Sequence, residues 1–543
     1  MPPPRISRIL SPIFNMSSES EHPAATSEPP SSEPPAPPPL TAQQESVVRA
    51  FGEHELPDLL GLGSKEIDFL LKKIHVSEEE IAGFFLNGLS NGGTFFHFYA
   101  QAASQILNSG YPDEAKEYFE RFINCVSDIG IHLQYLNCCL LAPSSTNESM
   151  LAAAQEFSRR FDRCPAAAPS NTADPDKKLK IGFLCSFFDS SIMRDGILPT
   201  IRGRNRDACE VYCYSDGPIP QDFADAPDYW RNVAGMDGSA LFDLIRQDEI
   251  DILRDLDGPT AENRLNLFLM RPAPIALHGA NFKATSALSC YDNVFANEYS
   301  IPPEEEAFYT EDIVRGNAFY GASVNGFIGS DRFPAITPPP VLETGYVTFG
   351  YFGGAHKLNV PILNLWGRIA REITDARFVL KAGAFAVPRI RAAVLDLAVD
   401  CGLDRDQVAL LEPTNFAEYI EGYSQIDIVP DVQPHSGGAN ILEALWMGKP
   451  VISIYGDRWA GRSGADFLRL MGQEDLIAYS EDEYVDLVVD LAKNPQKIKD
   501  LTFSLRQKFA ESPLTDIDAY NRDLESAYRE IWRKWCEGQT RTV

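Results

Sequence analysis

Beyond residue 178 of the 543-residue chain, short apolar runs alternate with stretches whose apolar residues recur three and four positions apart. Residues 181–185, 211–214 and 250–253 read as strands, and 229–246 has helical spacing. A second series follows, with strands at 346–349, 378–380, 408–411 and 426–429 and helical spacing over 364–373 and 390–398. Strands that alternate with helices build parallel sheets covered on both faces, and two consecutive series build two doubly wound domains. The expected fold is α/β, with two Rossmann-like domains facing a cleft. The proline-bearing loop 329–343 is their junction.

Upstream the pattern changes. Residues 41–170 are helical in spacing, including 66–74 and 78–86. The stretch ILNSGYPDEAKEYFERF (106–122) is similar to one tetratricopeptide hairpin, with Gly110 at the turn and Ala115 and Phe119 on the packing face. No 34-residue period accompanies it, so this small all-α, TPR-like part is expected to present an acceptor or to cover the core, not to form a long superhelix. Residues 23–39 hold eight prolines and cannot build a core. Residues 1–15 carry Arg5 and Arg8 without an acid; they read as a disordered tail, with a targeting segment as the alternative. The divisions are 1–40 (disordered tail), 41–170 (helical), 171–335 (first Rossmann-like domain), 336–511 (second) and 512–543 (closing helix).

Composition narrows the class. Hydrophobic residues make up 44% and charged residues 23%, ordinary globular values. A net charge of −29 argues against nucleic acid or an anionic membrane as the main partner. No apolar run is long enough for a membrane span. Ten cysteines lie scattered, without CxxC or zinc spacing, as expected of reduced thiols in a cytoplasmic protein. Oligomeric state leaves no signal in the pattern.

The chemistry gathers between the apolar runs 426–429 and 451–454. There His435-Ser436-Gly437-Gly438 enters a helix that begins near Asn440. Two glycines before a helix let the backbone approach a ligand, and the open N–H groups and the helix dipole favour an anion. At the carboxyl end of a strand this reads as a phosphate seat; plain turn chemistry is the competing reading.

The run EALWMGKPVISIYGDRWAGRSGADFL (443–468) resembles the nucleotide-sugar segment of the O-GlcNAc transferase/SPINDLY-type glycosyltransferases. Segments in the same order resemble the same family: LKIGFLCSFFD (179–189) with CEVYCYS (209–215), then 250–275 with its RPAP turn, then GYVTFGYFGGAHKLNVPILNLWGRI (345–369), and the closing helix 512–538. The resemblance implies the GT-B arrangement of two domains about a cleft. It also implies an inverting, metal-independent transfer of a sugar from a nucleoside diphosphate, a UDP-sugar in preference to a GDP-sugar, to Ser/Thr or Asn of a protein, with no resident cofactor.

Residue by residue, Lys357 matches the lysine on the donor phosphate, and Gly437, Gly438, Ala439 and Asn440, with His435 and Ser436 ahead of them, match the loop around the diphosphate. Glu443 matches an acid on the ribose hydroxyls, and Arg462 an arginine after the next strand, with a structural salt bridge as its alternative. Several positions depart from the pattern. Ser191 stands where the family has a histidine near the acceptor, so Asp189 or Asp195 is expected to supply a base. Gly258-Pro259-Thr260 replaces a turn of glycine, histidine or tyrosine, and threonine, and HGANFKAT (278–285) replaces the GYPGT turn. Tyr419 replaces the histidine that meets the base, where its ring still stacks. These changes fall mainly on the sugar and acceptor side. They leave two alternatives open: transfer to a glycan or small molecule, and a degenerate relative that binds a nucleotide or a protein.

Overall fold

The computed structural model describes residues 95–163, 171–191, 193–258, 263–278, 282–316 and 324–540, together with Lys73 and His75. The expectations for the tail 1–40 and for helices at 66–74 and 78–86 lie outside the described residues, Lys73 apart, as do Pro259, Thr260 and positions 279–281 of the HGANFKAT turn.

The first domain is a parallel sheet of β1 (Leu179–Cys185), β2 (Cys209–Ser215), β3 (Tyr229–Asn232), β4 (Ile252–Asp255), β5 (Ile275–His278), β6 (Asn293–Ala296) and β7 (Asp312–Arg315). Its strand order is β3-β2-β1-β4-β5-β6-β7. The second domain holds β8 (Thr348–Phe352), β9 (Arg377–Lys381) and β10 (Val408–Leu411), then β11 (Val429–Pro430), β12 (Val451–Ile454) and β13 (Ile477–Ala478). The two groups, β10-β9-β8 and β11-β12-β13, join through a parallel bridge between Phe349 and Ile428. The order therefore reverses between β1 and β4 in one domain and between β8 and β11 in the other. Ligands bind at such reversals in doubly wound sheets.

Most strand positions follow from the apolar runs, but 229–246 differs from the helix expected there. Residues Tyr229–Asn232 form the edge strand, and the helix is Gly238–Gln247. Pairing decides the first part: Tyr229 stacks on Tyr212 of β2 at 4.6 Å, and Arg231 bonds Asp248 at 2.8 Å. Gly235, at φ +72°, breaks the chain direction, and Asp237 caps the new helix by accepting from the Ala240 N–H.

Ahead of the sheets, α1 (Phe95–Asn108) and α2 (Pro112–Glu120) form the hairpin read from 106–122, and Gly110 turns it at φ +93°. Ala115 and Phe119 are buried in one apolar cluster with Leu358, Val394 and Leu397 of the second domain. Next, α3 (Ile129–Leu141) and α4 (Asn147–Phe161) send Leu136, Leu140, Met150 and Phe157 into the core of the first domain. The helical part thus lies across both domains. Arg458 of the second domain reaches back, donating to the carbonyls of Ala142 and Ser145.

The last helix, Ile517–Thr540, also crosses. Tyr520, Leu524, Tyr528, Ile531 and Trp532 complete the first domain's core although they lie at the chain's far end. Among the described residues no helix is long and apolar enough to cross a membrane. Eight of the nine described cysteines, Cys185, Cys213 and Cys290 among them, are buried. Trp532 is fully buried, stacks on Trp535 at 4.6 Å and donates its indole N–H to the Asp174 carbonyl at 2.8 Å. Trp532→Ala is expected to cost about 3–5 kcal/mol through the cavity it leaves. A urea titration that reports the first domain checks this; an unchanged midpoint would show that the closing helix does not hold that core together.

Candidate functional site

A cavity of about 590 Å³ lies where the reversal points of the two sheets face each other. The first domain contributes Ser191, Met193, Ile197, Arg254, Leu256 and Lys283; the second contributes the ends of β8 and β9 and the loop before the helix Ala439–Trp446. Of the residues expected from the sequence, Lys357, Ser191, Tyr419, His435, Ser436, Gly438, Ala439, Asn440 and Glu443 line this cavity. Gly437 does not line it; its N–H is turned to Asp431.

The loop from 431 to 438 owes its shape to Asp431, a residue that no spacing or motif marks. One carboxylate oxygen accepts from the N–H groups of Val432 and Gly437 at 2.8 and 2.9 Å. The other accepts from the Ser436 and Ser453 hydroxyls at 2.5 and 2.6 Å. Ser436 in turn accepts from the Gly464 N–H at 2.8 Å. A Cβ on Gly437 would come within 2.4 Å of the Ile441 side chain, so only glycine fits. At Gly438 a Cβ would meet nothing within 4 Å, so this backbone faces open cavity. Asn440 accepts from the Gly438 N–H at 3.1 Å, while the N–H groups of Ala439 and Asn440 open the helix. This is the arrangement that accepts a phosphate oxygen.

Lys357 reaches the same loop from the turn after β8, donating to the Ser436 carbonyl at 2.9 Å. Burial, with Lys283 nearby, holds its ammonium down at about 7. His435 donates from Nδ1 to the same carbonyl at 3.1 Å, and burial keeps the ring neutral. His356 is likewise pushed down, to about 4. The positive charge at the seat therefore comes from lysine. Asn359 fixes the approach: it caps the helix Val360–Glu372 through the Ile362 N–H at 3.0 Å and donates to the Gln433 carbonyl at 2.5 Å. The asparagine followed by Val-Pro is a helix-start signal legible in sequence. The bridging role of Asn359 is not.

One turn into the helix, Glu443 accepts from the Tyr419 hydroxyl at 2.9 Å. Burial, despite that bond, raises its carboxyl to about 7. Tyr419 also sits 3.1 Å, oxygen to oxygen, from Tyr423, which donates to the Asn440 carbonyl at 3.0 Å. Phe416 and Tyr419, with Pro413 and Ala382, give this end of the cavity an aromatic and apolar wall. Lys381 closes it, donating to Thr414 at 2.7 Å.

The acceptor-side residues fare differently. Ser191 lines the cavity, whereas Asp189 is exposed in the turn after β1 and lies outside it. Asp195 is buried but paired with Arg332; burial lifts it to about 6 and the guanidinium offsets only part of that. Asp257, also lifted to about 6 by burial, accepts from the Ser186 N–H at 3.1 Å. Glu443 is the acid that lines the cavity among the described residues. Arg462 is not brought to the cavity. It is buried against Glu305, at 2.5 and 2.9 Å, and donates to the Ser300 carbonyl, which makes it a bridge between the two domains.

The family model for glycosyl transferase family 41 matches residues 159–329 and 341–524, more than half of the chain. A SPINDLY protein of Hordeum vulgare, named a probable UDP-N-acetylglucosamine–peptide N-acetylglucosaminyltransferase, is 29% identical over 73% of this chain and 43% of its own length. The SPINDLY protein of Arabidopsis thaliana is 30% identical over 74% of this chain and 45% of its own. The chain spans less than half the length of these relatives. A solved structure of a mutant O-GlcNAc transferase from Thermobaculum terrenum shares the fold, with a TM-score of 0.76 at 24% identity over 92% of this chain and all of that one.

The raised Glu443 carboxyl carries a consequence for stability. Between its ordinary value near 4.5 and about 7 the folded protein holds a proton that the unfolded chain releases, so folding weakens as pH rises through this window. Glu443→Gln removes the penalty. Its melting temperature is expected to exceed that of the wild type at pH 8, with the gap closing toward pH 4.5. A gap independent of pH would mean that Glu443 is not buried as an acid.

Proposed function

Because the chain belongs to glycosyl transferase family 41, we propose that its cleft takes a nucleoside-diphosphate sugar, a UDP-sugar in preference to a GDP-sugar, and transfers the sugar to Ser/Thr or Asn of a protein in the cytoplasm. The observation that carries this reading is the convergence of Lys357 and the helix start at Gly438–Asn440 at the β8/β11 reversal, with Glu443 one turn further along the same helix. That spacing suits a diphosphate followed by a ribose and a base. The diphosphate meets the lysine and the N–H groups, Glu443 accepts from ribose hydroxyls, and the base lies against Phe416 and Tyr419. The naming of the SPINDLY relatives as peptide N-acetylglucosaminyltransferases supports a protein acceptor and a UDP donor.

The reaction proposed is a single displacement with inversion and without a metal. The acceptor atom, a Ser/Thr oxygen or an Asn nitrogen, attacks the anomeric carbon from the first-domain side, where Ser191, Met193, Ile197 and Leu256 line the cavity. The bond from that carbon to the β-phosphate oxygen breaks, and its electron pair leaves with the diphosphate as the acceptor gives up its proton to a base. Charge builds on the leaving oxygen, and a preorganised ammonium and N–H groups in a dry site stabilise it most where they are already aimed. Binding the anion draws Lys357 to its charged form.

Thermal shift with UDP, GDP and their common sugars tests the donor. UDP is expected to stabilise the wild type and to do little for Lys357→Met, since a ligand stabilises the state it binds. Transfer by the variant should fall on the order of 10²–10³-fold. Because Lys357 loses its proton above about 7, affinity for UDP should drop between pH 7 and 9. No shift with any nucleotide would leave the degenerate binding module as the better account.

A further inference from the structure

Lys283 belongs to the first domain, in the turn that follows β5, yet it lines the cavity beside Lys357, His435 and Ser436 of the second. Its ammonium donates to the Ser463 hydroxyl, and the adjacent Gly464 N–H donates to Ser436 of the phosphate loop. Two hydrogen bonds thus link Lys283 to Ser436, whose carbonyl holds Lys357, and Lys283 is close enough to depress the Lys357 ammonium. Its own ammonium is lowered to about 8 by burial, with Asp466 and Asp431 opposing. Asp431 accepts from the loop, and Asp466 accepts from Asn297 and Arg469, each at 2.7 Å.

We infer that Lys283 is a second phosphate-binding residue, supplied by the first domain, which makes the seat selective for a diphosphate over a monophosphate. The inference rests on the nucleotide-sugar reading of the cleft. A diphosphate carries more negative charge than one ammonium balances, so a second cation at the seat favours it over a monophosphate. One lysine and a helix start serve one phosphate. A lysine from the opposite wall reaches the other, and the bound diphosphate then joins both domains. The competing role for Lys283 is a latch that merely ties the domains through Ser463.

Calorimetric titration of uridine, UMP and UDP into the wild type, Lys283→Met and Lys283→Arg separates the two. Loss of a phosphate contact weakens UDP on the order of ten- to a hundredfold in the Met variant, leaves uridine within about twofold, and is largely restored by Arg. Equal weakening of all three ligands, or undiminished UDP binding, overturns the inference and leaves the nucleotide reading standing. Failure of the wild type to bind any of them, or the matching guanosine series, overturns both. If the Met variant does not fold, acylation of the wild type with acetic anhydride, read by mass spectrometry, takes its place. Saturating UDP should protect Lys283 as fully as Lys357; unchanged labelling of Lys283 would overturn the inference.

Discussion

Asp431 lies buried at the end of β11, and its two oxygens gather the N–H groups of Val432 and Gly437 and the hydroxyls of Ser436 and Ser453. A carboxylate taken from water is tolerable only when its lone pairs are met. The loop therefore cannot relax without leaving that charge exposed to an apolar core. This constraint turns Gly438 toward the cavity and sets the Ser436 carbonyl where both Lys357 and His435 donate to it. The same hydroxyl that bonds Asp431 accepts from Gly464, so the start of the following helix is locked to the loop. The helix terminus and the lysine are aimed before any ligand arrives.

A fixed glycine loop is only half of a cleft, and the second half depends on links between domains that are distant in sequence. Arg462 pairs with Glu305, Asn297 donates to Asp466 at 2.7 Å, and Tyr455 donates to the Tyr299 carbonyl at 2.9 Å. The helical part braces the same arrangement from outside, packing on both domains, while the closing helix returns from the second domain to complete the core of the first. Buried ion pairs of this kind contribute specificity of geometry more than net stability, because desolvation offsets their attraction. Here that geometry brings Ser191 and Lys283 of the first domain to the cavity that Lys357 of the second lines.

The sequence by itself determined the two doubly wound domains, the hairpin turned at Gly110 and the glycine loop that enters a helix. Each is encoded locally, by apolar period, by glycines where the backbone needs them, and by resemblance over contiguous segments. Tertiary structure decided the rest. It made an edge strand of 229–232, where stacking of Tyr229 on Tyr212 outweighed helical spacing. It turned Arg462 away from the cavity to Glu305, left Asp189 in solvent, and brought Asp431, Asn359 and Lys283 to the seat. The reason is physical: a charged side chain's partner is chosen by burial and by what lies within hydrogen-bond reach, and Lys283 meets Ser463 from 180 positions away. Spacing along a chain records what a segment becomes, not what it will face.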